Sequence, residues 1–323
     1  MAALPESPEV RVFDLRNIPA QELVPVLEEE AREWRAALNW DLAPSVELVT
    51  RFASMQSLNG CALLAGGRVI GYSYTVREDH KALIGDLYIV PRERTTQRER
   101  MLIDASLESL WRESGLQRVE AQLLMLDATG PSERMPFAKW FQSYPRLFLE
   151  MNAAHVEHLP PRPAAGIAIA NWQEAWHQDA SGWLVAAAYR GHTDSDINDQ
   201  YRSPGGVRKF LHNIVQFPGC GTFFAPASYA AVDPRIGALC GLSLTSLVAA
   251  DAGHITQICV APTHRGIGLG YELLRRSIAA LAEHGCRTVS LTVTASNRDA
   301  VRLYERAGFA KKRDFSAFVW DAG

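Results

Sequence analysis

Cysteine is scarce in this chain of 323 residues: there are five, at 61, 220, 240, 259 and 286, an odd number without the paired spacing of metal ligands. That argues against a disulfide framework and for reduced thiols in a cytosol. Long apolar runs are missing as well. The uncharged, largely apolar stretch at residues 236–250 is too short to span a bilayer and is broken by Gly, Ser and Thr. Surplus charge is also absent: Lys and Arg total 33 against 36 Asp and Glu, so a net charge of −3 leaves no footprint for nucleic acid or an anionic membrane. The opening Met-Ala-Ala-Leu-Pro-Glu lacks a basic region followed by an apolar core, so no secretory signal is expected. What is present, 47% hydrophobic and 21% charged residues, is an ordinary globular composition. The length suits roughly two domains of ~150 residues. The expectation is a soluble, cytoplasmic protein.

The most informative stretch runs from Gly253 to Tyr271. Its first half, with Ile255, Ile258 and Val260, has the β-branched character of a buried strand, which Pro262 ends because it has no N–H for the ladder. Arg265-Gly266-Ile267-Gly268-Leu269-Gly270 then leads into a helical pattern with Ile267, Leu273, Leu274, Ile278 and Leu281. Alternate glycines remove side chains where the backbone must approach something closely. The first N–H groups of a helix, left without partners, favour an anion. The pattern reads as a pyrophosphate cradle. It is neither a Rossmann turn, since position 271 is Tyr, nor a P-loop, which needs Gly-Lys-Ser/Thr.

Arg265, Gly268 and Gly270, with Val260 and Pro262 before them, resemble the acyl-CoA loop of the GNAT superfamily of N-acetyltransferases. A second segment, Asn297 to Phe309, is similar to that family's Asn-x-x-Ala-x-x-x-Tyr-x-x-x-Gly-Phe pattern, and it follows a strand over 288–294. The earlier part of the chain repeats the order of elements with an offset of 171 residues, Pro91 facing Pro262. The resemblance therefore implies an α/β fold of two tandem GNAT domains with mixed α+β sheets: a degenerate one over 1–157, a Pro-rich linker over 158–166 and a catalytic one over 167–323. In the first copy Arg94-Thr95-Thr96-Gln97-Arg98-Glu99 stands where the glycines should be, so the cofactor site is expected to be filled in. Strands are expected at 10–15, 61–65, 69–76, 82–90 and 119–126, with Gly66-Gly67 as a hairpin turn. After the linker come strands at 167–170, 222–225, 237–247, 254–261 and 288–294, and a closing pair at 309–312 and 315–320.

The resemblance implies transfer of an acetyl group from acetyl-CoA to the primary amine of a small acceptor, with no metal. The N–H groups of Arg265, Gly266, Ile267, Gly268, Leu269 and Gly270 would bind the diphosphate. Ile258, Cys259 and Val260 would pair with the pantetheine amides, and one strand N–H would polarise the thioester carbonyl. Tyr304 takes the position of the family's general acid. Asn297 either caps its helix or reaches the cofactor beside Ala300. His254 stands where the family often has a Glu base, and an imidazole suits that work near neutral pH. Asp194, Asp196 and Asp199 could receive a cationic amine or form a solvated loop, and Gln257 could orient substrate or sit on a strand face. A non-catalytic acyl-CoA sensor, or an enzyme using another acyl chain, fits the same cradle.

Overall fold

The computed structural model describes residues 9–126, 135–217 and 219–322. In chain order the first elements are β1 (Val10–Asp14), α1 (Ala20–Leu38), α2 (Ala43–Ser54), β2 (Gly60–Ala65), β3 (Arg68–Glu78), β4 (Lys81–Ile89), α3 (Thr96–Trp111), β5 (Arg118–Gln122) and β6 (Phe141–Asn152). They continue with β7 (Ala168–Asn171), α4 (Glu174–Ala188), α5 (Asp194–Ile197), α6 (Pro204–Gln216), β8 (Thr222–Phe223), β9 (Tyr229–Asp233), β10 (Ala238–Ala249) and β11 (Ala252–Val260). The last are α7 (Leu269–His284), β12 (Thr288–Thr294), α8 (Arg298–Arg306) and β13 (Ala310–Asp321).

Two compact units emerge. The first comprises the described residues of Met1–Ala37, Leu42–Tyr144 and Phe315–Gly323, and the second Leu38–Asp41 and Pro145–Asp314. In the first, β1 to β4 form an antiparallel meander, β5 joins β4 in parallel, and β13 pairs antiparallel with β5 from Ala317 to Asp321. The β2–β3 turn uses Gly66 and Gly67 at φ 56° and 76°, the positive values of a tight hairpin. Leu23, Val26 and Leu27 of α1 and Leu102, Ile103, Leu107 and Leu110 of α3 bury their apolar stripes against this sheet, with Phe318 and Trp320 of β13 in the same core. In the second unit β7, β9, β10 and β11 are antiparallel neighbours, β12 joins β11 in parallel, and β6 lies antiparallel to β12 over Arg146–Asn152. Leu274, Ile278 and Leu281 of α7 pack with Leu149 and Met151 of β6 on one face, and α4 and α6 cover Leu242 and Leu244 on the other.

This division departs from boundaries at 157 and 167. Residues 145–166 belong with the second unit and 315–323 with the first. The physical cause is pairing: residues 146–152 complete the sheet beside β12, while 317–321 complete the sheet beside β5. The Pro-rich stretch is no loose linker. Leu159 and Ala164 are buried, the Arg162 N–H donates to Glu272 at 2.9 Å, and the Tyr271 hydroxyl donates to the Pro160 carbonyl at 3.0 Å. The closing pair is one continuous strand, β13. Strands β6 and β9 are absent from the sequence reading, and β5 stops at Gln122.

Both sheets carry a β-bulge at the same register. Pairing shifts between Tyr74 and Thr75 leave Gly85 without a cross-strand partner, and shifts between Leu244 and Thr245 do the same to Thr256. Gly85 and Thr256 stand 171 residues apart, the offset that relates Pro91 to Pro262.

Candidate functional site

In the second unit the parallel ladder between β11 and β12 joins Ala252–Ile255 to Thr288–Leu291 and stops there, although the strands continue to Val260 and Thr294. Ile258, Cys259 and Val260 remain paired to β10 on their other edge. One edge of each strand therefore opens into a gap. The bulge at Thr256 resets the alternation of side chains, so that Ile255 and Ile258 both join the core under α7 while Cys259 packs on the α4 side.

Beyond Pro262 the chain makes a short 3-10 turn and reaches Gly266 and Gly268, at φ 82° and 85°. These left-handed values suit glycine, and a Cβ at either position would meet no protein atom within 4 Å. Helix α7 starts at Leu269 with no side chain capping it, and its first internal bond runs from the Glu272 N–H to the Gly268 carbonyl at 3.0 Å. Its first turn thus presents bare N–H groups to open space, with the positive end of the helix dipole behind them. Gly270 differs: a Cβ there would make ordinary contacts of 3.6 Å with Val260 and 3.9 Å with Leu303. The Arg265 guanidinium donates to the Ala188 carbonyl at the end of α4 at 2.8 Å, so this residue offers its backbone while its side chain ties the loop down. Ile267, expected on the apolar stripe, is 52% exposed and lies outside the helix.

A cleft of about 1080 Å³ runs along these elements, bounded by Ile258, Cys259 and Val260, by Gly266, Gly268, Leu269 and Gly270, and by Asn297, Ala300 and Tyr304. Asn297 caps α8, its side-chain oxygen accepting from the Ala300 N–H at 3.3 Å. Tyr304 is 7% exposed and meets Phe309 edge-on at 6.0 Å. Burial pushes its phenol well above the ordinary tyrosine range, and the charge of Asp194 pushes the same way while Arg146 opposes it. Burial also raises the Cys259 thiol to about 12, which keeps it neutral and unsuited to nucleophilic attack.

His254 is not brought to the cleft. It sits in the paired part of β11, with Nδ1 2.9 Å from the Ser290 hydroxyl and its ring 5.0 Å from Trp40 and 6.1 Å from Phe148. Burial, aided by Arg146, lowers its pKa to about 3, so the group expected as a base is a neutral core imidazole. The acidic loop divides too. Asp194 accepts from the Thr294 hydroxyl and lies 3.6 Å from His192, whereas Asp196 is exposed and paired with Arg202 at 3.8 Å. Asp199 starts a separate 3-10 turn. Gln257 is held at both ends, donating to the Tyr189 hydroxyl at 2.9 Å and accepting from that of Tyr201 at 3.0 Å, with the two rings stacked at 4.6 Å. Tyr189, Tyr201, Trp40 and Arg146, the last donating to the Thr292 hydroxyl at 3.3 Å, are neighbours that the sequence reading does not name. Arg146 carried no signal of its own, since Pro145 and Glu150 beside it mask the strand.

The matching loop of the first unit is occupied by its own side chains. Thr95 caps α3, accepting from the Arg98 N–H at 3.3 Å. Arg94 donates to both Glu33 oxygens and to the Ile89 carbonyl, and Arg98 pairs with Glu93. The counterpart of Gln257 is Asp86, which is hydrogen-bonded to the fully buried Glu30, itself bound by the hydroxyl of Tyr72 and the indole of Trp34.

These features agree with comparisons to known proteins. Residues 194–309 match the acetyltransferase (GNAT) family. The solved structure of a tandem GNAT protein from the clavulanic acid biosynthesis pathway superposes with a TM-score of 0.65 at 18% identity, covering 98% of this chain and 99% of that one. The fold is thus a GNAT fold, and residues 194–309 carry the similarity to that family. Among curated relatives, mycothiol acetyltransferase of Streptomyces avermitilis is 31% identical over 142 residues, 41% of this chain and 40% of that protein. N-alpha-acetyltransferase MAK3 of Arabidopsis thaliana is 39% identical over 61 residues, 19% of this chain and 32% of that protein. The chain therefore spans well under half the length of these two relatives. Among the described residues no helix is long and apolar enough to cross a membrane, and no three His, Cys, Asp or Glu side chains cluster as a metal site.

Proposed function

We propose that the second unit is an N-acyltransferase that takes the acyl group of an acyl-CoA, acetyl by default, and gives it to the primary amine of a small-molecule acceptor. One observation carries this: the uncapped helix start at Gly268, the open strand edge at Ile258–Val260 and Tyr304 all face a single cleft. The names of the relatives, a mycothiol acetyltransferase and an N-alpha-acetyltransferase, agree with an amine acceptor. Bound in that cleft, the co-substrate supplies an activated acyl thioester.

The remaining work falls to the chain. Bare N–H groups from Gly266 to Gly270 hold the diphosphate, and the free edge of β11 holds the pantetheine arm as an added strand would be held. An N–H on that edge stabilises negative charge at the acyl oxygen. The Tyr304 Oη–H stays protonated at every physiological pH and donates its proton to the departing sulfur. Asp194 attracts the ammonium form of the acceptor, and Gln257 positions Tyr189 and Tyr201 rather than touching the acceptor. The acceptor's proton leaves through water. His254 is buried, and His192 accepts the Asp194 N–H at Nδ1 (3.1 Å), which leaves its Nε2 carrying the proton in the neutral ring.

The withdrawal of His254 favours a second reading, a non-catalytic acyl-CoA-binding protein. Following thiol release from acetyl-CoA against a panel of primary amines separates the two. Turnover with at least one amine, lost in Tyr304→Phe, supports the enzyme. Tight acetyl-CoA binding with no turnover on any amine supports the sensor.

A further inference from the structure

We infer that the Pro-rich stretch around residues 158–162 is a working part of the ligand site, and that Arg162 is its second anion clamp, closing on a phosphate seated at the start of α7. This inference rests on the acyl-CoA reading above and assigns a group outside the family-matched segment, which begins at residue 194.

Four observations lead to it. First, His158, Pro160 and Arg162 line the cleft together with the α7 start. Second, the stretch is pinned to the first turn of that helix at two points: the Arg162 N–H donates to Glu272 at 2.9 Å, and the Tyr271 hydroxyl donates to the Pro160 carbonyl at 3.0 Å. Third, the anchor is firm. Glu272 is 1% exposed; burial pushes its pKa up, but the hydrogen bonds from Arg275, the Arg162 N–H and Arg276 outweigh burial and hold it at about 2, a permanent anion. Fourth, among the described residues the Arg162 guanidinium has no carboxylate partner, and it lies over the Tyr271 ring, 5.2 Å from its centroid. Of the other arginines bordering the cleft, Arg265 is tied to the Ala188 carbonyl and Arg302 to Asp299, which leaves Arg306 on α8 as the other one without an ion pair among the described residues.

Such a guanidinium, stacked on an aromatic ring and carried by a braced backbone, is pre-organised for a phosphate. The helix start supplies N–H groups to one side of that phosphate, and Arg162 supplies a charged fork from another. Because the stack is on Tyr271, in the first turn of α7, the phosphate engaged is the diphosphate and not the 3′-phosphate of the nucleotide.

Calorimetry on the full chain tests this with Arg162→Ala and Arg162→Lys, titrating CoA, 3′-dephospho-CoA and pantetheine. Arg162 is exposed, so both variants should fold. The expected result for Arg162→Ala is an affinity roughly tenfold weaker for CoA and dephospho-CoA alike, with pantetheine unchanged and a shallower salt dependence. Lys should restore part of the loss. Wild-type affinity in Arg162→Ala overturns the inference while leaving the acyl-CoA reading intact. A loss confined to CoA overturns the assignment to the diphosphate. Failure of the wild-type chain to bind CoA overturns both.

Discussion

Replacing Gly268 by alanine separates what this residue does for the fold from what it does for a ligand. In the folded chain Gly268 sits at φ 85°, where an L-residue with a Cβ is strained by ~1–2 kcal/mol. A Cβ there would meet no protein atom within 4 Å, so no clash adds to that cost. For a unit of this size the melting temperature should fall by a few degrees, at ~2–4 °C per kcal/mol. The effect on ligand binding is separate. The methyl group projects into the space where a diphosphate would approach the helix start, and one charge-assisted hydrogen bond lost costs ~1.5–3 kcal/mol, or tenfold to a hundredfold in Kd. Gly237 provides the control: it has φ 64° and equally open surroundings, in the β9–β10 turn. Gly237→Ala should lower the melting temperature similarly and leave acetyl-CoA affinity alone. The assay is thermal unfolding beside calorimetric titration. If Gly268→Ala bound acetyl-CoA as tightly as Gly237→Ala, the glycine would be a backbone requirement only and the cradle argument would be wrong.

Other outcomes follow from the same geometry. Tyr304→Phe keeps the packing against Phe309 and removes the proton donor, so kcat should fall ~10²-fold or more with KM for acetyl-CoA little changed, measured by thiol release. Because burial raises the Tyr304 phenol, the wild-type rate should show no alkaline loss from this residue up to pH 10. In the first unit, burial and Asp86 raise the Glu30 pKa well above its usual value, so the folded state holds a proton that the unfolded chain releases above about pH 4.5. Stability from this group is therefore lost as pH rises, and Glu30→Gln should raise the melting temperature at pH 8 but not at pH 4. His254 has the opposite sign. Its folded pKa of about 3 lies below the usual 6.5, so the unfolded chain binds more protons between those values and stability falls as pH drops through them. Urea titrations of His254→Gln should show a flatter pH dependence over that range.

The sequence made the second unit's loop and helix legible because two local signals coincide there: glycines that only a left-handed backbone needs, and a strand ended by Pro262. Periodicity likewise marked α7, whose buried Leu273, Leu274, Ile278 and Leu281 recur at helical spacing. The exchanged strands were not legible. A strand's residues show that it has a buried face but not which sheet will pair with it, and β6, with Pro145, Arg146 and Glu150, barely shows even that. The same non-locality hid Arg146, Tyr189 and Tyr201, which meet β11 and β12 only through tertiary pairing. His254 misled for a related reason. Its place at the family's Glu position suggested a base, but the bulge at Thr256 and the start of the gap beyond Ile255 decide which residues reach the cleft, and His254 precedes both. For the Pro-rich stretch, composition suggested a spacer, whereas two hydrogen bonds to α7 make it a wall of the cleft.

The central claim is an asymmetry: one loop leaves its helix start bare, and its earlier copy is closed by Thr95, Arg94 and Arg98. Hydrogen exchange on the full chain, with and without acetyl-CoA, tests it most directly. Added protection should appear at residues 258–271 and 297–304 and be missing from 91–98, with one equivalent bound per chain. Protection over 91–98, or two equivalents bound, would contradict the account.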